Sequence, residues 1–112
     1  MTSPVLNRRF LLEAKDTQPD GQGGFDESWT ALGKLWVELR GMTGRDRERE
    51  TASLAVANFR ITVRAAPFGS TERPAAGQRF REGARIFEIL SVVDRDVEGR
   101  WLTCFCREEV VR

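Results

Sequence analysis

The stretch Gln22-Gly-Gly-Phe-Asp-Glu-Ser-Trp29, followed six residues later by Trp36-Val-Glu-Leu-Arg40, decides the fold of this chain. Its paired glycines supply the backbone freedom that a tight turn requires. From Leu35 onward, apolar and polar residues alternate with the period of two that is typical of a half-buried β-strand. The pattern predicts the opening hairpin of a small β-domain, in which Trp36 points away from the core.

Further strands are predicted on both sides of this hairpin, because short alternating runs are separated by turn residues. The strands are expected at 6–14, 58–65, 78–81, 85–93 and 100–107, with loops at 16–24 and 67–76 and turns at Glu82-Gly83 and Glu98-Gly99. Strands at this spacing form a small antiparallel barrel or sandwich. We expect an all-β chain with one domain over 1–112, specifically a barrel of five or six strands, since closure removes exposed sheet edges.

The segment 43–57 interrupts the strand pattern and is treated as an inserted connector. Thr43 and Asp46 have the spacing of a helix N-terminus, and charges of alternating sign follow them. The charged residues of the connector are Arg45, Asp46, Arg47, Glu48, Arg49 and Glu50. The segment is longer than ordinary connections, which have about 4–6 residues. It is therefore predicted to be a short helix or a flexible excursion, and a run of this kind is most often simply solvated.

The composition argues against an enzyme and against a metal site. The chain has no histidine and no tyrosine, which removes the commonest general acids and bases. Cys104 and Cys106 lie two residues apart on a predicted strand, a poor geometry for a disulfide, and are expected to be small core residues. The acidic pairs Asp94/Asp96 and Glu108/Glu109 are expected to be exposed structural charges. No cofactor, catalytic residue or metal ligand is predicted.

The net charge and the hydropathy limit the classes of partner and the cellular compartment that we expect. The 18 basic and 17 acidic residues nearly cancel, so no broad attraction to phosphate backbones or acidic membranes is expected. No stretch approaches the ~20 apolar residues of a membrane span, and Met1–Arg9 lacks a signal-peptide core. We expect a soluble chain that is intracellular when made, without a membrane partner. Its positive charge is almost all arginine, whose planar fork suits pairing across protein interfaces, although coding bias explains the preference equally well.

The linear order of these features resembles the phage head–tail joining family, also called head-closure or stopper proteins. The resemblance extends from Leu6-Asn-Arg-Arg-Phe10 to Cys104-Phe-Cys-Arg-Glu108. Between these ends it is carried by Gly23-Gly24 with Trp29, Leu35-Trp-Val37, Gly44-Arg-Asp46, Phe59-Arg-Ile-Thr-Val-Arg64, Arg79-Phe80, Ile86-Phe-Glu-Ile89 and Val92. Val37 and Phe87 depart from the small or tyrosine residues frequent in the family, but they conserve apolar volume.

The resemblance implies a structural subunit of the neck of a tailed phage or gene-transfer particle, made in the bacterial cytoplasm. Copies would form a ring, contacting an adaptor or portal-side head protein above and a tail terminator or tail-tube protein below. Packaged DNA would lie in the channel without sequence-specific contact. The connector 43–57 occupies the place of the family segment that reaches toward the channel, and a rearrangement of several copies would open the path.

Two surfaces follow as candidates. Interface residues are expected among the exposed aromatics and arginines, namely Trp29, Trp36, Arg40, Arg60 and Arg64, although Trp36 is somewhat better explained as covering a barrel end. The alternative function is a single-stranded nucleic-acid-binding barrel, in which Arg60, Arg64, Trp36 and Phe105 would form a basic stacking face. The balanced net charge favours the ring.

Overall fold

Six antiparallel strands close into a barrel in the computed structural model, which describes residues 3–48 and 56–109, without the side chains of Arg47 and Glu48. The strands are β1 (Arg8–Pro19), β2 (Phe25–Gly41), β3 (Phe59–Arg64), β4 (Arg79–Glu82), β5 (Arg85–Asp94) and β6 (Trp101–Glu108), and one helix, α1 (Gly44–Glu48), follows β2. Around the barrel the order is β1-β2-β3-β6-β5-β4, and β4 pairs back to β1. The predicted all-β barrel is confirmed.

The barrel interior is filled by the inward-facing members of the alternating strands. These side chains are fully or almost fully buried: Phe10, Leu12, Val37, Ile61, Val63, Phe80, Phe87, Ile89, Leu102, Cys104 and Cys106. Phe10 stacks on Phe87 with ring centroids 5.3 Å apart, and Phe59 meets Phe87 edge-on at 5.4 Å. Aromatic pairs of this geometry contribute about 0.5–1.5 kcal/mol beyond the area that they bury.

The first hairpin departs from the sequence-based prediction. The loop expected over 16–24 is only 20–24, because β1 continues to Pro19 and β2 begins at Phe25. The added strand residues pair as a two-stranded ribbon from Ala14↔Thr30 to Pro19↔Phe25. Asp16 and Pro19 are poor strand formers in a sheet interior but are tolerated here, since the ribbon is solvent-exposed and Pro19 needs no neighbour on its outer side.

The later strands agree with the prediction to within one residue at each end, but β6 differs in its burial. Cys104 and Cys106 face the interior as expected, and Thr103 and Phe105 on the outer face are also buried. Phe105 packs with Met42 and Ala57 in a second small cluster outside the barrel, and the partly buried Leu90 packs against this cluster. The two ends of the connector therefore cover one outer patch of the sheet.

Candidate assembly surfaces

The connector leaves and re-enters the barrel at a single point. The amide of Met42 donates to the carbonyl of Asn58 at 2.9 Å, directly beyond the last ladder pair Gly41↔Phe59. Asn58 is fixed in turn, because its amide donates to Cys106 and its side-chain oxygen accepts from the amide of Glu108. Residues 43–57 are therefore an excursion whose two ends are already held together by the barrel.

A capping box begins the helix of the connector, as the Thr43/Asp46 spacing predicts. The amide of Thr43 donates to Asp46 Oδ2 at 2.9 Å, and the amide of Asp46 donates to Thr43 Oγ1 at 3.2 Å. Arg60 on β3 adds an ion pair to the other carboxylate oxygen, Nη2–Oδ1 2.9 Å. The hydrogen bonds from Thr43, with the charge of Arg60, hold the pKa of Asp46 below its ordinary value.

The other connector residues are placed only in part. Arg45 is exposed on α1, and Arg47 and Glu48 belong to the same helix by their backbone. The predictions for the side chains of Arg47 and Glu48, and for Arg49 and Glu50, fall outside the described residues. Whether these charges line a channel stays a prediction.

The outer face of β2 and β3 brings together most of the candidate interface residues. Arg40 pairs with Arg60 across the two strands, and Glu38 pairs with Thr62. Glu38 is largely buried here, since its carboxylate accepts from the amide of Val5 at 2.8 Å and lies 3.3 Å from Arg40 Nε. A polar cavity of about 520 Å³ opens beside these residues and extends to Asp46 and Phe105. Its opposed charges give it no net sign, which argues against a phosphate site.

A row of alternating cations and aromatic rings crosses the same outer surface farther along the strands. Arg9 is the β1 partner of Trp36, Arg64 lies beside Trp36 on β3, and Trp101 is the β6 partner of Arg64. The guanidinium carbon of Arg9 is 5.7 Å from the Trp36 ring centroid, and that of Arg64 is 4.9 Å from the Trp101 ring. Trp36 is 55% exposed, as its predicted outward direction requires. We call Arg9, Trp36, Arg64 and Trp101, with the neighbouring Lys34, the cationic row.

Trp29 is not part of this surface. It lies on the hairpin ribbon, where the guanidinium of Arg79 sits 4.0 Å from its ring centroid. Arg79 also pairs with the buried carboxylate of Glu13 at 2.7 Å. The contact between Trp29 and Arg79 thus joins the base of the ribbon to β4.

The basic stacking face expected of a nucleic-acid binder is divided in the structure. Trp36 and Arg64 are neighbours, but Phe105 is only 6% exposed and Arg60 is engaged by Asp46. A buried ring cannot stack on a base. Arg9 and Trp101, which the sequence analysis did not select, complete the row instead. Their alternation with Phe10 and Leu102 was the available signal, since it marks them as outward-facing on buried strands.

The described part of the chain offers neither a metal site nor an activated thiol. No three histidine, cysteine or carboxylate side chains there come together as a metal site. Burial raises the pKa of the Cys104 thiol to about 12 and also raises that of Cys106, which disfavours the reactive thiolate. Among the described residues, no helix is long enough and apolar enough to cross a membrane.

The acidic pairs differ from their predicted exposure. The Asp96 side chain is only 5% exposed, because it accepts hydrogen bonds from the amides of Arg100 and Trp101 at 2.9 and 3.1 Å within the β5–β6 turn. Glu108 is half-buried and forms two hydrogen bonds with Arg85, at 2.7 and 3.0 Å. The prediction of exposed charge was therefore wrong for these two residues, although Asp94 and Glu109 are exposed. All four are structural or surface groups.

A protein-family model described as phage head completion protein matches residues 1–109 of the sequence. The chain belongs to the phage head completion protein family. This membership confirms the resemblance drawn from the sequence, and it assigns the chain a structural role in a phage head or related particle rather than a known catalytic one.

Two solved structures resemble this family member over their whole length. A protein from the virion of a native gene transfer agent particle is 46% identical, with a TM-score of 0.78, covering 98% of this chain and 100% of that one. A protein from Shigella flexneri 2a, known from a solution structure, is 21% identical, with a TM-score of 0.77 and complete coverage of both chains. The second likeness concerns the fold alone. No curated protein matches the sequence.

Proposed function

We propose that this head completion protein forms a ring at the neck of a tailed phage or gene-transfer particle, where it closes the DNA channel and joins head to tail. The observation that carries the proposal is the 46% identity, over 98% of this chain and 100% of the other, with a protein of a gene transfer agent virion. Each subunit contacts its own copies, an adaptor or portal-side protein on one face and a tail terminator or tail-tube protein on the other.

The connector is the element proposed to obstruct the channel. Its two ends are clamped at Met42 and Asn58, so its charged residues can converge on an axis or withdraw without disturbing the barrel ladder. Arg45, Arg47 and Arg49 would pair with Glu48 or Glu50 of neighbouring copies. Exposed pairs of this kind contribute only about 0–1 kcal/mol each, which suits a closure that has to open.

The clamp also allows a clean test. Because Met42 and Asn58 already face each other across antiparallel strands, residues 43–57 can be replaced by Asn-Gly, the preferred two-residue hairpin turn. We expect the purified variant to keep the circular dichroism of a β-barrel, and we expect particles carrying it to lose packaged DNA on dilution. The variant Arg45→Lys, which keeps the connector and its charge, is the matched control.

Nuclease protection of the packaged DNA measures the outcome. If particles with the Asn-Gly replacement protect their DNA as well as wild-type particles do, the connector has no sealing role. Electron microscopy of wild-type particles tests the location independently, since a neck without this polypeptide would overturn the proposed function as a whole.

A further inference from the structure

A two-stranded arm extends from the barrel without a partner. β1 pairs with β4 only over Leu11–Glu13, and β2 pairs with β3 only over Val37–Gly41. The hairpin from Ala14 to Thr30, which we call the arm, therefore has no strand on either outer edge among the described residues. The molecule is accordingly 53 Å long but only 29 and 25 Å across. An isolated two-stranded hairpin is marginally stable in water, so an arm of this kind gains stability from a surface that it can contact.

The arm has one acidic face. It holds four of the 17 acidic residues of the chain, at positions 16, 20, 26 and 27, but only one of the 18 basic residues, Lys15. Side chains alternate along the ribbon, and the register Asp16↔Ser28 and Gln18↔Asp26 puts these four residues on one side, which therefore carries two of the carboxylates, those of Asp16 and Asp26. Phe25, Glu27 and Trp29 lie on the opposite side, where Glu27 is paired with Lys15 at 3.1 Å. Asp26 has no hydrogen-bond or ion-pair partner within the described chain.

The cationic row carries the complementary charge. Arg9, Lys34 and Arg64 surround Trp36, and none of the three forms an ion pair with a carboxylate in the described parts of the chain. The row borders a cavity of about 230 Å³, whose lining includes Leu35 and Ala65 and one carboxylate, Glu72. The surface thus combines three uncompensated cations with apolar contact area.

The spacing of charges on the two surfaces is of the same scale. Asp16 and Asp26 are diagonal neighbours on adjacent strands, about 7–8 Å apart at their Cα atoms. Arg9 and Arg64 flank Trp36 at two strand spacings, about 9–10 Å. The long arginine side chains cover the difference. The Trp36 ring would then lie against the Gln18 and Ser28 side chains, which carry no charge.

The arm cannot reach the row of its own chain. Asp26 and Trp36 are ten residues apart on the single continuous strand β2, a distance of roughly 33 Å. The strand keeps the two surfaces apart, so any arm that occupies the row comes from another molecule.

We propose that the acidic face of the arm of one copy docks on the cationic row of the next copy. The inference rests on the proposed ring and names the contact that builds it. Because the arm and the row are different surfaces, the contact is heterologous, and repeated heterologous contacts generate a ring when the rotation closes.

Charge reversal tests the contact in the full-length chain. In low salt, sedimentation velocity measures the self-association of the wild type, of Asp16→Lys/Asp26→Lys and of Arg9→Glu/Arg64→Glu. We expect each reversed variant to raise the dissociation constant at least about tenfold, as for close interfacial charge pairs. In an equimolar mixture of the two variants, the arm that carries the new lysines can dock on the row that carries the new glutamates, and the two unchanged surfaces can dock on each other. We expect the mixture to recover the wild-type constant to within about threefold.

Glu27→Lys is the control on the opposite face of the same arm, and its charge change matches that of the single variant Asp26→Lys. We expect it to leave the dissociation constant within about threefold of the wild type. If Glu27→Lys weakens association as much as Asp26→Lys does, the effect is one of net charge and the proposal fails. Unchanged association in either reversed variant also overturns it.

A nucleic acid on the row is the competing outcome. If Arg9→Glu/Arg64→Glu abolishes binding of a single-stranded 20-mer, while Asp16→Lys/Asp26→Lys leaves both the binding and the self-association intact, the row serves DNA and the proposal is overturned.

Cross-linking tests the contact between the arm and the row in assembled particles. It applies even if the purified chain shows no measurable self-association in solution. The pair Asp26→Cys/Lys34→Cys, treated with a short bismaleimide, is expected to give a ladder of multimers, whereas each single variant gives monomers. The buried Cys104 and Cys106 contribute no background. No ladder from particles whose neck contains the chain overturns the contact and leaves the proposed function standing. A chain absent from the neck overturns the proposed function, and the solution measurements then decide the contact alone.

Discussion

Arg60 on β3 and Asp46 on α1 are joined by an ion pair of 2.9 Å that ties the first turn of the connector to the barrel wall. The same carboxylate closes the capping box with Thr43, so the two interactions share one group. The base of the connector is therefore ordered in the free subunit, and pairing of Asp46 with a neighbouring copy would require exchange of the Arg60 contact.

Thr43→Ala is expected to loosen this first turn without unfolding the barrel. Loss of a helix cap exposes the amides that it satisfied, and we expect hydrogen exchange at the Asp46 amide to accelerate about fivefold or more. Thr43→Ser, which keeps the hydroxyl, should exchange as the wild type does. Equal exchange rates in all three proteins would mean that the cap does not hold the turn.

Ile61→Ala is expected to cost about 2–5 kcal/mol of the free energy of unfolding, because Ile61 is fully buried in the barrel core. Urea denaturation measures the loss. Ser28→Ala, on the exposed arm, should change stability by no more than about 0.5 kcal/mol. A small effect at Ile61 would contradict the assignment of the inward face of β3.

Cys104 and Cys106 are expected to resist alkylation in the folded protein. Burial raises both pKa values, that of Cys104 to about 12, so neither thiol is both accessible and ionised near neutral pH. Mass spectrometry after iodoacetamide treatment should find no adduct in buffer and two adducts in urea. Rapid modification in buffer would show that β6 opens readily.

Acid is expected to weaken the barrel through Glu108. The hydrogen bonds from Arg85 lower the pKa of Glu108 below its ordinary value of 4.5, so the charged form is favoured by folding. This stabilisation is present above the unfolded-state pKa and is lost as the pH falls below about 4.5 through the folded-state pKa. Urea midpoints measured between about pH 7 and pH 3 should therefore converge for the wild type and Glu108→Gln. If the difference between the two urea midpoints stayed constant over this pH range, Glu108 would not contribute to the pH dependence of stability.

Local patterns allowed much of this structure to be predicted from the sequence. The alternation around Ile61 and Val63 identified the inward face of β3, and the Thr43/Asp46 spacing identified the helix start. Both signals depend on residues within a few positions of one another. The exposed direction of Trp36 followed from the same alternation.

Contacts between distant segments could not be predicted in this way. The pairing of Arg85 with Glu108, and the hydrogen bonds that bury Asp96, depend on how β5 and β6 meet. The β1 residues 16–19 of the arm were predicted as loop, because a solvated ribbon needs no apolar periodicity and Asp16 and Pro19 carry turn propensity. The cationic row spans the four neighbouring strands β1, β2, β3 and β6. The neighbours of Trp36 on β1 and β3 could therefore be identified only from the strand pairing of the barrel.

Leu32 is the extra residue of a β-bulge at the base of the arm. Leu12 lies opposite Gly33, whereas Glu13 lies opposite Ala31, and Gly33 accommodates the irregularity with a φ of 144°. Because the bulge absorbs this extra residue, the pairs from Glu13↔Ala31 to Pro19↔Phe25 run in unbroken register, with the two partners of each pair on the same face. A deletion of Leu32 would preserve these pairs, and with them the shared face of Asp16 and Asp26, but it would remove the local bend and the added twist of the bulge and so redirect the whole arm relative to the barrel.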